Sequence, residues 1–118
     1  MSDELTIWHN PRCGKSRQAL ALLTEAGVEV NIIRYLDTPP TAAQLGRVLK
    51  QLGMEPRQLM RKKEAPYKEL HLAAEELDRN ALIAAMVAHP ILIERPVVIR
   101  GDRAVLGRPP ENVLALTG

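Results

Sequence analysis

The residues best suited to chemistry lie in one short stretch, His9-Asn10-Pro11-Arg12-Cys13-Gly14-Lys15-Ser16-Arg17. Cys13 is the single cysteine of a 118-residue chain. A thiol reacts as its thiolate, and at an unperturbed pKa of about 8.5 little thiolate exists at neutral pH. Here Cys13 stands where a strand signal gives way to a helical pattern. A helix N-terminus offers unpaired N–H groups and a partial positive charge, both of which favour an anion. Arg12, Lys15, Arg17 and His9 add positive potential around the same point. Gly14 lets the backbone come close to whatever Cys13 attacks. The groups that favour a thiolate would equally cradle an oxyanion substrate. The plainer reading, an inert buried thiol acting as a small hydrophobe, accounts for none of this clustering.

The fourth position of the Cys-x-x-Cys spacing is Ser16, and there is no second thiol in the chain. A mixed disulfide or thiol-linked intermediate on Cys13 therefore cannot be resolved within the monomer, and an outside thiol such as glutathione or a small redox partner is required. Ser16 itself reads as a helix-start residue whose hydroxyl bonds backbone or, alternatively, the Cys13 thiolate.

The elements that must position this stretch follow from pattern. Leu5-Thr6-Ile7-Trp8 predicts a strand that stops at Asn10-Pro11. A helix begins at Gly14 with Leu20, Leu23 and Ala26 on one side and Gly27 as its stop signal. Val28 to Leu36 alternates about Val30, Ile32 and a buried Ile33 as a second strand. Pro39-Pro40 closes the unit. Thr41 and Gln44 form a capping box, followed by the stripe Leu45, Val48, Leu49 and Leu52. Pro56 and Pro66 break residues 54–75 into turns. Asp78 caps a helix with apolar positions Leu82, Ile83, Met86 and Val87, which His89-Pro90 ends. Pro96-Val97-Val98-Ile99 and Ala104-Val105-Leu106 form a hairpin about Gly101-Asp102, and Glu111 to Leu116 predicts a short closing helix. The order is βαβ, a helical middle, then ββα. This predicts one thioredoxin-like α/β domain over residues 1–118, with a four-stranded mixed sheet and a helical insertion at about 41–89 between the second and third strands.

Three further arginines gain meaning in that framework: Arg61, Arg95 and Arg108. In thioredoxin-type folds the strand facing the active cysteine begins with a cis-proline, so Arg95, just before Pro96, is expected beside the thiol. Arg108 follows the terminal hairpin in Gly107-Arg108-Pro109. Guanidiniums offer paired hydrogen bonds to oxyanions. The candidate catalytic set is therefore Cys13, His9 and Ser16, and the candidate substrate-binding set is Arg61, Arg95, Arg108, Gly14 and Asn10.

Composition narrows the function classes. Hydrophobic residues make up 46% of the chain, with no Phe, so the core must be aliphatic. A net charge of +2 with few aromatics does not suit a nucleic-acid binder. No apolar run reaches the roughly 18–20 residues of a membrane span. The acidic start Met1-Ser2-Asp3-Glu4 does not read as a signal peptide, and a lone cysteine fits a reducing, cytoplasmic compartment. His9, His71 and His89 are too scattered to predict a metal site.

At these residues the sequence resembles the glutaredoxin-linked arsenate reductase family. The resemblance runs through Ile7 to Arg17, Tyr35-Leu36-Asp37-Thr38-Pro39-Pro40, Leu59-Met60-Arg61-Lys62-Lys63 with Pro66-Tyr67, His89 to Pro96, and Gly107-Arg108-Pro109. The short stretch after Arg108 is similar to the family's short subgroup. The resemblance implies that the Cys13 thiolate attacks arsenate, that glutathione acts as co-substrate and reduces the adduct, and that glutaredoxin removes the glutathione left on Cys13. No bound cofactor is implied. Arg61, Arg95 and Arg108 match the family's oxyanion-binding arginines, and His9 matches a residue that supports the thiolate. Other readings are less well matched. Monothiol glutaredoxins share a Cys-Gly-x-Ser motif but lack the insertion and the arginine set. Thioredoxin-like regulators that bind RNA polymerase usually switch through two cysteines. Phosphatase-like arsenate reductases use Cys-x5-Arg, whereas Arg17 is four residues after Cys13.

Overall fold

The computed structural model describes residues 4–117, so Met1 to Asp3 of the acidic start lie outside it. The chain falls into two compact units, one made of the described residues up to Thr38 and from Arg95 onward, the other of Pro39–Glu94.

The first unit contains β1 (Leu5–Trp8), α1 (Gly14–Glu25), β2 (Val30–Ile33), β3 (Val97–Arg100), β4 (Arg103–Leu106) and a 3₁₀ segment, Pro110–Leu116. The sheet order is β2-β1-β3-β4. β1 runs parallel to β2 and antiparallel to β3, which is antiparallel to β4. This is the mixed four-stranded thioredoxin-like sheet expected from the element order. Leu5 and Ile7, two residues apart, share one face of β1. They pack with Ala19 and Leu23 of α1, Val98 of β3, and Val113 and Leu116 of the closing segment. Ala19 and Leu23 are i, i+4 neighbours on one helix face. Truncating a fully buried leucine such as Leu23 costs about 2–5 kcal/mol.

Several boundaries differ from the pattern-based ones for identifiable reasons. The buried side of α1 carries Ser16, Ala19 and Leu23, rather than Leu20, Leu23 and Ala26. Leu20 is partly buried and Ala26 exposed. Gly27 ends the helix in the left-handed region (φ 78°), with its N–H bonded to Thr24 O. The second strand is shorter than Val28–Leu36. Val28 N–H is taken by Leu23 O at the helix end, and a turn starts at Arg34, whose carbonyl accepts from Asp37 and Thr38. On this edge strand Ile32 is 49% exposed and Ile33 only partly buried. The closing helix is 3₁₀, beginning at Pro110.

The second unit is the helical insertion, with α2 (Ala42–Leu52), α3 (Pro56–Leu59), α4 (Ala65–Glu69), α5 (Arg79–Ala88) and a 3₁₀ turn, Pro90–Leu92. The expected capping box is present: Gln44 N–H donates to Thr41 Oγ1 at 3.1 Å and Thr41 N–H to Gln44 Oε1 at 2.9 Å. Asp78 accepts from Ala81 N–H at 2.8 Å to start α5. Leu45, Val48 and Leu49 of α2 and Leu82, Ile83 and Met86 of α5 are buried, as their spacing predicted. An antiparallel bridge pairs Met60 with Ile93, and Arg61 N–H donates to Leu92 O at 2.7 Å. No helix among the described residues is long and apolar enough to cross a membrane.

Candidate active site

The loop between β1 and α1 is tied to itself at each step. His9 N–H donates to Ile33 O at 2.8 Å, which fixes where β1 releases the chain. Asn10 Oδ1 accepts from Arg12 N–H at 3.0 Å, and Asn10 O accepts from Cys13 N–H at 3.0 Å. Arg17 reaches back to Pro11 O at 2.9 Å. Cys13 then takes the N-cap position of α1 in extended backbone (φ −95°, ψ 122°), and its carbonyl accepts from Arg17 N–H. Its side chain is partly exposed. The thiol therefore sits at the donor end of a 12-residue helix and can still meet solvent.

Burial pushes the Cys13 thiol up, but the groups around it more than reverse this. The Ser16 N–H, a hydrogen bond from Arg95 together with its charge, and the Lys15 N–H hold it below the ordinary cysteine value. Of the positive loop residues expected from sequence, Lys15 acts on the thiol, through its backbone N–H, and the side-chain cation beside the thiol is Arg95. The Arg95–Pro96 peptide is cis, as the fold predicted, and so is Arg108–Pro109.

Ser16 Oγ is fully buried and accepts from Asn10 N–H at 3.0 Å, with His9 Nδ1 at 2.7 Å. The hydroxyl therefore bonds backbone and imidazole, and what Ser16 gives Cys13 is its N–H. His9 is held below its ordinary pKa by burial and by the charges of Arg34 and Arg17, which keeps the ring neutral. With Asn10 N–H donating into the Ser16 oxygen, the hydroxyl proton is available to Nδ1. His9 and Ser16 thus brace the loop beneath the thiol.

Among the candidate binding residues of this unit, Arg108 is exposed, and its Nη1 donates to Arg95 O at 3.3 Å. A Cβ at Gly14 would meet only Arg17 Nη2, at 3.8 Å, so no neighbour within the protein demands glycine there. Arg61 lies in the second unit. Its Nε is 3.2 Å from Glu64 and its Nη1 2.7 Å from Glu94. His71 and His89 are exposed.

Two residues escaped the pattern-based reading of the site. Tyr35 is fully buried, and its phenol interacts with the Arg95 guanidinium. Gly107 donates its N–H to Pro96 O at 2.9 Å, and a Cβ there would come within 2.6 Å of Pro96 Cγ. Both lie inside segments that carry the family resemblance, but neither residue type signals chemistry.

Comparison with known proteins identifies the family. The model of the ArsC family matches residues 8–116. The chain belongs to the ArsC family. It is 53% identical to the uncharacterized protein YfgD of Escherichia coli K12 over the full length of both. It is 46% identical to an arsenate reductase of Neisseria meningitidis serogroup A, covering 96% of this chain and 97% of that protein. Among solved structures, an arsenate reductase from Vibrio cholerae superposes with a TM-score of 0.93 at 48% identity, covering 98% of this chain and 99% of that one. For this ArsC-family chain, the thioredoxin-like fold and the family expected from sequence are both established.

Proposed function

We propose that this chain reduces arsenate to arsenite through Cys13, with glutathione and glutaredoxin as external thiols in the cytoplasm. The observation that carries the reading is the setting of Cys13 Sγ at the start of α1, met by the N–H groups of Ser16 and Lys15 and by the Arg95 guanidinium. Such a group is a nucleophile poised for an anionic electrophile. The ArsC-family relatives named as arsenate reductases support arsenate as that electrophile.

In the first step the Cys13 thiolate forms an S–As bond and hydroxide leaves, taking up a proton as water. A glutathione thiolate then attacks Cys13 sulfur. The S–As bond breaks with its electron pair on arsenic, which goes from As(V) to As(III), and Cys13 is left in a mixed disulfide with glutathione. A glutaredoxin thiolate attacks the glutathione sulfur and returns Cys13 as thiolate. Because the chain has no second cysteine, this last exchange needs an outside thiol. Arg95 serves the thiolate and the arriving oxyanion, and Arg108, bonded to the Arg95 carbonyl, serves the oxyanion, with Asn10 and Gly14 shaping the loop that receives it. Arg61 is assigned to oxyanion binding on the sequence pattern.

The test is arsenite formation from arsenate by purified protein with glutathione and glutaredoxin, compared with Cys13→Ser. The expected result is turnover that vanishes in the variant and in the absence of glutathione. A wild-type protein with a reactive thiol but no turnover would exclude arsenate as substrate.

A further inference from the structure

Arg95 is the side-chain cation that reaches Cys13, so whatever holds Arg95 also sets the state of the thiol. Its Nε and Nη1 are screened from solvent, as is Oη of Tyr35. The whole Tyr35 side chain is buried. A guanidinium is planar, and its N–H donors diverge along fixed directions. One edge can therefore be engaged by a phenol while another meets a thiol. Arg95 has this pair of partners: it interacts with Cys13 and with Tyr35. Tyr35 is well placed for such a role. It follows the β2 strand by two residues, in the turn where Arg34 O accepts from Asp37 and Thr38. The backbone that carries the phenol is thus bonded in place independently of Arg95.

We propose that Tyr35 is a positioning residue whose buried phenol oxygen holds the Arg95 guanidinium against Cys13 Sγ. The phenol oxygen accepts from the guanidinium, and Arg95 is thereby confined to the rotamer that presents N–H donors to the thiolate. Without that oxygen, a buried donor loses its partner and gains reason to turn toward water. Arg95 then spends less time on Cys13, and the thiol regains part of its proton affinity. The inference rests on Cys13 being the reacting thiol. Its test requires no arsenate, so it stands or fails separately from the substrate assignment.

Tyr35→Phe keeps the ring that fills the core and deletes only the oxygen. The readout is the pH dependence of Cys13 alkylation by iodoacetamide, measured in the wild type, Tyr35→Phe, Arg95→Ala and the double variant. The expected result is a rise of the thiol pKa by about half a unit to one unit in Tyr35→Phe. The same change in the Arg95→Ala background should have no effect, because the phenol acts only through the guanidinium. An unchanged thiol pKa, or an equal shift in both backgrounds, overturns the proposal and leaves Tyr35 as a core residue. Should Tyr35→Phe fail to fold, the wild-type protein supplies the second measurement. Its nitrogen-15 side-chain spectrum should show a slowly exchanging Arg95 Nε–H with a cross-peak to the Tyr35 ring, and a rapidly exchanging resonance without that cross-peak would equally overturn it.

Discussion

Arg95 and Arg61 are both partly buried arginines beside short extended segments, one in each unit of the chain, yet they face opposite kinds of partner. Arg95 meets a thiol and a phenol, whereas Arg61 lies between the carboxylates of Glu64 and Glu94. A guanidinium against a thiol changes the thiol's proton equilibrium. A guanidinium between two carboxylates is held in a defined rotamer, but its charge is already balanced, and an incoming anion must share or displace those partners. The sequence pattern alone gives the two residues one role, while their surroundings give them two. Under the proposed function Arg95 both activates the thiol and binds the oxyanion, whereas Arg61 is left with binding alone.

The largest effect expected from that contrast is in Arg95→Ala. Its arsenate turnover should fall by about 10²–10³-fold, the scale of removing one oxyanion donor, and its Cys13 thiol pKa should rise. An unshifted alkylation profile in this variant would erase the distinction between the two arginines. Arg61→Lys keeps the charge but loses the forked geometry, so kcat/KM for arsenate should drop by about 10-fold, carried mostly by KM. Its alkylation profile should match the wild type, and a shifted thiol pKa here would break the comparison from the other side. Glu64→Gln removes one of the balancing carboxylates and should lower KM by about 2-fold, in line with a partly exposed ion pair worth under about 1 kcal/mol.

Two predictions concern the frame that holds the Arg95 side of the comparison. Gly107→Ala would drive a Cβ against the Pro96 ring and should cost about 1–3 kcal/mol of stability, read as a lowered denaturation midpoint with activity reduced alongside. His9 gives the smallest effect. Its pKa is lower folded than unfolded, so the unfolded chain binds a proton first as pH falls below about 6.5. The stability His9 contributes is complete above that value and is lost as pH falls through the window beneath it. Between pH 7 and pH 5 the wild type should lose stability more steeply than His9→Gln, and parallel slopes would show that His9 is not titrating there.

Much of the fold was legible because it rests on local rules. The capping box at Thr41 and Gln44, the Asp78 cap, the Gly101-Asp102 turn and the alternation of Leu5 and Ile7 each express one backbone requirement through nearby residues. Element ends were less legible where a carbonyl had competing donors, as at Arg34, whose turn shortens the second strand. The site divides the same way. Cys13 at a helix start and the Arg95-Pro96 junction are properties of adjacent residues, and the lack of a second thiol is read from the whole composition, so sequence alone determined which residue is the candidate nucleophile. Only the tertiary structure decided that Ser16 offers the thiol its amide while its hydroxyl meets His9, that Arg61 is balanced by two carboxylates, that Gly107 must admit Pro96, and that the buried Tyr35 interacts with Arg95. Those facts depend on pairs of groups far apart in the chain whose separation is set by packing, and spacing along a sequence carries no measure of distance across a core.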